Sequence, residues 1–372
     1  MIEQVQIDRP VEDRAGRSSE PAARAPGESR ARVLAALSFR NISAIYIFIG
    51  LFVIFSIWVP DTFLTWGVWR SMFATQSLNA IVAVALVLPL AAGLFDLAVG
   101  AEVGVAGVLV AWFLTKGGMP IVPAIVLTLI AGGVIGTVTG LLVVRAKIDS
   151  FIATLAMSSV LLALTDWISS SQQILGLGSS FQSIATVSFL GLTLPVWFML
   201  ALGVVVWYIL ERTPVGRRVY ATGGNINAAR LTGVRTTRVI IGTLAACGVM
   251  AASAGVLQSS TIATGDPTIG PGFLLPGFAA AFLGSTQFRG GRYNVWGTIL
   301  AVYVLATGVT GLQLAGAPVW IPSLFNGVAL LLAVALAKSE RGARRAGAIR
   351  RTIWRGRSPS SEHPVPTSSA GA

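Results

Sequence analysis

The sequence predicts an all-α protein, a polytopic bundle of about ten transmembrane helices with a short helix on its cytoplasmic surface. The composition and the spacing of the apolar stretches carry this prediction. Of the 372 residues, 54% are hydrophobic and only 11% are charged, and the mean hydropathy is +0.76. A soluble domain carries about 25% charged residues. A chain with less than half of that share cannot cover a surface that faces water, so lipid must form part of its surroundings.

Ten apolar stretches lie between the polar ends of the chain, and they approach the ~20 residues that a membrane-spanning helix needs. Length alone also leaves nine or eleven spans open. The eighth stretch is short and contains Pro276 and Gly277, which is compatible with a broken or re-entrant element. The stretches are 43–60, 78–94, 97–114, 121–144, 151–170, 189–210, 239–258, 273–287, 294–312 and 320–337.

Basic residues are distributed unequally between the loops on the two sides of these spans. If the N-terminus is cytoplasmic, the inner loops hold ten basic residues, whereas the outer loops hold only Arg70 and Lys116. Cytoplasmic loops carry an excess of Lys and Arg. We therefore expect an even number of spans and both termini in the cytoplasm of a multi-pass membrane protein. The predicted inner loops are near 95–96, 145–150, 211–238 and 288–293, and the outer loops include 171–188 and 259–274.

The two ends of the chain are polar. Residues 1–41 are rich in Arg, Ala, Ser and Pro, and residues 339–372 share this character with a strongly basic balance. Such segments cannot bury enough apolar surface to fold. We expect two disordered cytoplasmic tails around a transmembrane domain of residues 42–338. The net charge of +12 lies largely beside the spans, where basic residues contact the headgroups of membrane lipid, so no nucleic-acid binding is expected.

The residues that enzyme chemistry needs are missing from the sequence. Cys247 is the only cysteine and His363 the only histidine, so we expect no metal site and no catalytic triad, and Cys247 is interpreted as a small packing residue. A P-loop requires a lysine directly after a glycine. None of Lys116, Lys147 and Lys338 follows one. We therefore expect no catalytic residue, no cofactor and no ATPase activity in this chain.

The inner segment 211–238 is too polar to span a membrane and too long for a minimal turn. Asn225 can cap a short helix over Ile226–Leu231, and Gly233 can end it. Such a helix suits docking into a groove of a partner. A solvated basic loop is an alternative that the composition leaves equally open. The apolar residues that the helix would offer are Ala228, Ala229, Leu231 and Val234.

Three stretches together resemble the permease subunits of ribose-type sugar importers of the ATP-binding-cassette (ABC) class, which belong to a branched-chain amino-acid/ribose permease superfamily. Residues 213–234, TPVGRRVYATGGNINAARLTGV, are similar to the cytoplasmic coupling loop of that family. Residues 93–107, GLFDLAVGAEVGVAG, resemble its G-x-x-DLSVG motif, and residues 278–302, FAAAFLGSTQFRGGRYNVWGTILAV, its AAVVLGGTS motif. The stretches follow the family's order and the similarity covers roughly 43–337. Where the family often has Gly-Gly before Thr-Ser, this chain has Leu283-Gly284-Ser285.

The resemblance implies partners and a set of coupling residues. A permease of this type forms a homodimer, or a heterodimer with a related permease, and binds cytoplasmic ATP-binding subunits. An extracytoplasmic substrate-binding protein delivers a small-molecule sugar to it. The residues that the resemblance implies for coupling to the ATPase are Gly216, Arg217, Gly223, Gly224, Asn225, Ala228, Ala229, Arg230, Leu231 and Gly233.

Polar residues within or beside the spans are candidates for the translocation pathway. Ionisable groups at membrane depth, such as Asp96 and Glu102, normally face a bundle interior or a cavity. Asp96 is interpreted as a structural pin or gate, or alternatively as a helix cap or an interfacial residue, and Asp166 as an interfacial residue. Sugar sites pair amide side chains with apolar faces. Gln76, Gln258, Gln313 and Trp320 are further polar or aromatic residues of this kind. The pathway and gate candidates are Phe95, Asp96, Gly100, Asn79, Gln287, Asn294 and Asn326.

Two other functions remain open at this stage. A permease of a branched-chain amino-acid importer is the neighbouring alternative, although DLAVG and GGNINAARL favour the sugar family. A secondary transporter coupled to protons or sodium would need no ATPase and would use carboxylates at membrane depth. The spacings Gly100–Gly104, Gly132–Gly136 and Gly136–Gly140 are interpreted as sites of close helix packing.

Overall fold

The computed structural model describes residues 43–286 and 291–335. The two predicted tails and the candidate Gln287 lie outside the described residues. In chain order the helices are α1 (Ser43–Trp58), α2 (Pro60–Phe63), α3 (Trp66–Ala91), α4 (Val99–Thr115), α5 (Ile121–Arg145), α6 (Ser150–Ser169), α7 (Ser179–Thr186), α8 (Leu194–Arg212), α9 (Pro214–Gly224), α10 (Ile226–Leu231), α11 (Thr236–Ile262), α12 (Leu274–Ser285), α13 (Val295–Leu314) and α14 (Ile321–Ala335). The strands β1 (Ser188–Phe189) and β2 (Leu192–Thr193) form a hairpin before α8, and a 3-10 helix (Gly270–Phe273) precedes α12.

The all-α membrane class is confirmed in the described part of the chain. Six of its helices, α3, α5, α6, α8, α11 and α13, are long and apolar enough to cross a membrane. Shorter apolar helices, α1, α4, α12 and α14, account for the other predicted stretches. Backbone groups in lipid have no water to bind, so an apolar chain there satisfies them within helices. Ten complete crossings remain a prediction, because the shorter helices do not meet the length of a span.

Two boundaries differ from the sequence-based prediction. Helix α3 begins at Trp66 rather than at residue 78, because polar residues in its first half lower the local hydropathy although they lie inside a helix. The stretch 189–210 starts in the β-hairpin, where Leu190 and Gly191 both have positive φ angles, and α8 starts only at Leu194.

The description of residues 211–225 as a loop is wrong. Helix α9 fills Pro214–Gly224 ahead of the short helix α10, and Pro214 lies in its first turn, where its missing N–H costs nothing and its fixed φ suits a helix. A polar segment between two spans can therefore be helical when a Thr-Pro pair defines its first turn.

Helix α11 lies at the centre of the bundle, where it packs against α3, α4 and α5. Its residues Leu244, Cys247 and Ala251 are fully buried. Helix α3 is likewise enclosed by protein over the half that precedes Ala91, since every residue from Ala80 to Ala91 is buried. These two helices form the interior of the bundle, and lipid contacts fall to the helices outside them.

Close contact between α5 and α11 depends on a row of glycines. A Cβ atom on Gly136 would overlap the backbone carbonyl of Leu244, and one on Gly140 would lie 2.8 Å from Cα of Ile241. Gly132 faces the backbone of Gly248 in the same way. Small residues let helices in lipid approach to backbone contact, where van der Waals packing holds them together. The interpretation of this glycine spacing as packing is confirmed.

The loops gather at two opposite ends of the bundle. At one end, called the α9 end, the Gly93 turn touches Gly223 of α9, and the hydroxyl of Tyr220 donates to the carbonyl of Tyr293 at 2.7 Å. At the other, called the hairpin end, Ile174 pairs with Gly265 through backbone hydrogen bonds. These are the two groups of loops that the charge pattern assigns to opposite membrane faces.

The chain between α11 and α12 enters the bundle before helix resumes. Gly265 contacts Ala111 near the end of α4, whereas Gly270 contacts Gly100 and Gly104 near its start. Helix α12 then has 12 residues, a length of about 18 Å, against the ~30 Å of a hydrocarbon core. The eighth apolar stretch is therefore a broken element, in agreement with its short length in the sequence.

We predict that Gly136→Ala lowers the thermal stability of the detergent-solubilised protein, since a methyl group forced into a packed contact costs about 1–3 kcal/mol. Gly50→Ala is the matched control, because nothing lies within 4 Å of a Cβ atom at Gly50 in α1 and Ala favours a helix over Gly by about 1 kcal/mol. Thermal unfolding of both variants measures the difference. Equal melting temperatures would contradict the close α5–α11 contact.

Candidate functional site

The segment between α3 and α4, residues 92–98, is irregular and is tied to the start of α6. The backbone N–H of Phe95 donates to Oγ of Ser150 at 3.2 Å, and that of Leu97 donates to Oγ1 of Thr154 at 3.0 Å. The carboxylate of Asp149 caps α6 by accepting from the N–H of Phe151 at 2.9 Å. Irregular backbone is tolerated at membrane depth only where protein groups bind its N–H and C=O groups. These hydroxyl groups supply part of the hydrogen-bond partners that residues 92–98 need.

Asp96 lies at the centre of this segment and meets two other buried polar groups. One carboxylate oxygen of Asp96 accepts from the N–H of Ala98 at 3.1 Å, at the start of α4. The oxygens of Asp96 and Glu102 and Sγ of Cys247 all lie within 4.8 Å of one another. Both carboxylate oxygens of Glu102 lack a hydrogen-bond partner, and this side chain is only 2% exposed. Hence Asp96 caps the start of α4, while Glu102 is a buried carboxylate without a hydrogen-bond partner.

This Asp96–Glu102–Cys247 cluster was not foreseen from the sequence. The three residues offer two hard oxygen ligands and one soft sulfur ligand, a set that Zn²⁺ accepts in proteins. The sequence analysis expects no metal and reads Cys247 as a packing residue. The cluster can hold either a shared proton or a cation, and both would reduce the repulsion between two carboxylates that are close together.

Phe95 joins a group of aromatic rings at the α9 end. Its ring centroid is 6.4 Å from that of Phe151, 6.5 Å from that of Phe278 and 6.4 Å from that of Phe282. Phe282 in turn lies 5.8 Å from Tyr293. Phe95 remains 41% exposed, so it forms a surface of this chain rather than part of its core. Phe278 and Tyr293 of this group are buried, so the exposed rings are those of Phe95 and Phe151.

Three amide side chains meet in a small cavity between α3, α12, α13 and α14. Nδ2 of Asn79 donates to Oε1 of Gln76 at 2.8 Å. The cavity has a volume of about 60 Å³, and its lining includes Gln76, Asn79, Asn326 and Pro276 of the short helix α12. A water occupies about 30 Å³ in the liquid, whereas ligand pockets span about 300–1,000 Å³. In this conformation the cavity is therefore too small for a sugar.

The other pathway candidates have structural roles. Oδ1 of Asn294 accepts from the N–H of Gly297 at 2.7 Å and caps α13, while its Nδ2 donates to the carbonyl of Gly284 at 3.0 Å. Gly100 permits the close approach of the 3-10 helix, since a Cβ atom there would lie 2.8 Å from the carbonyl oxygen of Gly270. Asp166 is exposed near the end of α6, in agreement with an interfacial position.

Helix α9 is anchored to the irregular segment by a glycine contact. A Cβ atom on Gly223 would overlap the carbonyl oxygen of Ala91, and one on Gly93, whose φ is +81°, would lie 3.1 Å from Cα of Gly223. A second anchor comes from Tyr220. Its hydroxyl donates to the carbonyl of Tyr293, and the guanidinium of Arg292 lies 4.2 Å from its ring centroid. Helix α9 is thus in direct contact with the segment that carries Phe95 and Asp96.

Helix α10 forms as the sequence predicts. Oδ1 of Asn225 accepts from the N–H groups of Asn227 at 3.0 Å and Ala228 at 3.1 Å. Gly233 follows the helix with a φ of +84°, and the N–H of Val234 returns to the carbonyl of Ala229 at 3.0 Å. This pairing satisfies carbonyl groups that the helix end leaves free. The predicted N-cap and the predicted stop are both confirmed.

The face that α10 offers to a partner differs from the prediction. Ala229 is buried within this chain, whereas Leu231 is 91% exposed. Nε of Arg230 donates to Oγ1 of Thr236 at 2.9 Å and joins α10 to α11. Ala229 therefore packs within this chain, whereas Ala228 and Leu231 are predicted coupling residues of α10 that stay exposed.

The remaining coupling candidates fall into two groups. Gly216 is buried, and a Cβ atom there would overlap the carbonyl of Leu210, so this glycine allows the sharp turn from α8 into α9. Arg217, Gly224 and Ala228 are exposed. No sequence pattern singles out Tyr220 or Arg292. Their only signal is their position, one in each of two loops that charge assigned to the same face.

This chain is similar to known transport proteins along most of its length. Residues 70–334 match the family model described as branched-chain amino acid transport system / permease component. The ribose import permease protein of Bacillus subtilis (strain 168) is 35% identical over 266 residues, covering 71% of this chain and 82% of that protein. The L-arabinose ABC transporter permease protein of Azospirillum brasilense is 32% identical and covers 88% of this chain and 96% of that protein.

A third relative is more distant. The D-allose transport system permease protein of Escherichia coli (strain K12) is 27% identical over 277 residues, which is 74% of this chain and 85% of that protein. No solved structure matches the chain.

We predict opposite effects for two substitutions in the Asp96–Glu102–Cys247 cluster. Glu102→Met should raise the melting temperature of the purified protein, because it removes a buried carboxylate whose missing hydrogen bonds cost about 1–3 kcal/mol. Asp96→Ala, the matched loss of a carboxylate, should lower it, because the N–H of Ala98 loses its acceptor. A lower melting temperature for Glu102→Met would instead indicate that Glu102 has a partner such as a bound cation.

Proposed function

The chain belongs to the family of branched-chain amino acid transport system permease components, and we propose that it is the transmembrane subunit of an ABC importer for a monosaccharide. In this role it forms the translocation pathway for a small polar solute. The relatives named for ribose, L-arabinose and D-allose favour a sugar over a branched-chain amino acid, which only the family's description names.

One observation carries the mechanism. Helix α9 touches the turn at Gly93 through Gly223. This turn lies at the start of the irregular segment that contains Phe95 and Asp96. A partner that pushes or turns α9–α10 would therefore move the aromatic cluster without any other moving part. This is the mechanical link that an importer needs between a subunit outside the membrane and a gate within it.

The energy comes from a separate cytoplasmic ATP-binding subunit. The chain has no Gly-Lys pair, which the P-loop of an ATP-hydrolysing subunit needs. The docking surface for the ATP-binding subunit includes Leu231, which projects from α10 almost fully exposed, together with Arg217, Gly224 and Ala228 beside it. An exposed leucine beside an arginine supplies the apolar anchor and the charge that interfaces commonly use.

The pathway uses the amide cavity and the Phe95 cluster. Broken helices at membrane depth mark substrate sites in many transporters. Pro276 of the short helix α12 lines the small cavity in which the three amide side chains meet, here called the amide cavity. The amides of Gln76, Asn79 and Asn326 suit sugar hydroxyls, once the cavity widens. Phe95 is the gate. Its exposure fits a pathway that a second copy, or a related permease, completes as a homodimer or heterodimer.

The orientation and location follow from charge. We place the α9 end, with its arginines, in the cytoplasm of a bacterial cell, together with both chain termini, and the hairpin end outside the inner membrane. An extracytoplasmic substrate-binding protein would then deliver the sugar at the hairpin end. The basic residues of the α9 end contact anionic lipid headgroups.

We expect concentrative uptake of a labelled pentose or hexose in proteoliposomes that contain this chain, its ATP-binding subunit and its substrate-binding protein, and only with ATP. Gln76→Ala should reduce uptake about tenfold, because a hydrogen bond to the sugar is worth about 1.4 kcal/mol. Gln182→Ala, at an exposed position of α7, is the control. Uphill uptake by this chain alone under a proton or sodium gradient would overturn the proposal, and competition by leucine instead of sugar would point to the amino-acid alternative.

We predict that Leu231→Ala weakens co-purification of the ATP-binding subunit by about five- to thirtyfold, since truncation of an interface anchor costs about 1–2 kcal/mol or more. Leu190→Ala is the matched control, because Leu190 is also a strongly exposed leucine, at 77%, but lies in the β-hairpin at the opposite end. Quantitative pull-down with a tagged permease measures both. Equal recovery with the two variants would rule out α10 as the docking site.

A further inference from the structure

A deep groove runs between α8 and α11 at the α9 end. Its volume is about 1050 Å³. One wall is the apolar face Leu202, Val205, Val206 and Ile209 of α8. These residues follow the three- and four-residue spacing that places side chains on one side of a helix.

The opposite wall comes from α11. It presents Val239, Gly242, Ala246 and Val249 at the same helical spacing. Gly242 has nothing within 4 Å of a Cβ position, so the wall is open at this point rather than filled by a neighbouring helix. From Arg238 to Val249 the groove extends about 17 Å along α11, close to the ~15 Å depth of one leaflet of the hydrocarbon core.

The entrance of the groove is basic. Arg218 of α9, Arg235 before α11 and Arg238 in its first turn all line it and are all exposed. No acidic residue is among its lining residues. Within the described ranges, none of these three guanidinium groups forms an ion pair. Three unneutralised cations at the mouth of an apolar groove form a surface that is complementary to a molecule with an anionic head and an apolar tail.

We propose that this groove binds one anionic phospholipid, with its phosphate at Arg218, Arg235 and Arg238 and its acyl chain along α8 and α11. Guanidinium groups bind phosphate oxygens through paired, charge-assisted hydrogen bonds. Basic pockets between membrane helices on the cytoplasmic side suit such headgroups. The groove depth matches one leaflet, and the arginines stand where a headgroup of the inner leaflet would lie in the proposed orientation.

The same site touches the coupling segment. Thr232, Gly233 and Val234, which join α10 to α11, line the groove, as do Val215 and Val219 of α9. A bound lipid would fill the space between α9 and the two membrane helices and would hold the α9–α10 unit in one position. This regulatory consequence rests on the proposed function, in which α9–α10 transmits ATPase movement, whereas lipid binding itself does not.

The test measures lipid retention by the purified full-length chain, without any partner. Native mass spectrometry in detergent, after addition of phosphatidylglycerol or phosphatidylcholine, should show one retained phosphatidylglycerol and no retained phosphatidylcholine. The triple variant Arg218→Gln, Arg235→Gln, Arg238→Gln should lose at least about tenfold in phosphatidylglycerol affinity, because each basic residue near a membrane surface contributes about 1 kcal/mol of attraction to anionic lipid. A matched triple variant, Arg145→Gln, Lys147→Gln, Arg212→Gln, removes the same charge outside the groove lining and should retain wild-type affinity.

A second variant tests the apolar part independently of charge. Ala246→Trp fills the groove and leaves the arginines intact, so it should lower phosphatidylglycerol retention while the protein stays monodisperse on gel filtration. Equal loss in both triple variants would reduce the effect to non-specific charge and overturn the proposal. Retention of phosphatidylcholine would overturn it as well. So would a change of oligomeric state in Ala246→Trp without a change in lipid retention, because a second copy of the chain would then occupy the groove. Failure of ATP-driven sugar uptake would leave the lipid result unaffected.

Discussion

Hydrogen bonding of the backbone without water is the constraint on which this structure depends. In a hydrocarbon environment every N–H and C=O group must find a partner inside the protein. Most of the described chain meets this demand with helices. Two irregular segments do not, residues 92–98 and residues 263–269 before the 3-10 helix, and contacts with neighbouring protein hold both in place. The first is tied by hydroxyl groups of α6, and the second pairs with Ile174 and then packs on the glycines of α4.

These two irregular segments place the groups to which the proposed function assigns the pathway. The first brings Asp96 and Phe95 to the α9 end, and the second allows α12 to begin inside the bundle beside the amides of α3. A continuous helix in either place would carry its side chains around a cylinder and separate these groups. The cost of irregular backbone is thus offset by local hydroxyl partners and close glycine contacts.

In the proposed mechanism, movement passes from the α9 end to the pathway through direct backbone contacts. The backbones of Gly93 and Gly223 meet directly, and Tyr220 bonds to the backbone before α13. Backbone contacts transmit displacement better than flexible side chains do, because packed protein is nearly incompressible. The same unit, α9–α10, forms one side of the groove between α8 and α11. Lipid and a cytoplasmic partner would therefore act on a single mechanical element from opposite sides.

The sequence by itself determined the membrane class, the approximate position of most apolar stretches, and the cap and stop of α10, because these depend on local composition and on short-range hydrogen bonds. It also placed the loops in two groups, since charge beside a span is readable without a fold. Only the tertiary structure decided that Gln76, Asn79 and Asn326 meet, that Glu102 and Cys247 join Asp96, and that Ala229 faces inward while Leu231 faces out. Helices in lipid are apolar on all sides, so their periodicity does not indicate which face touches which neighbour. That choice depends on packing between residues far apart in the chain.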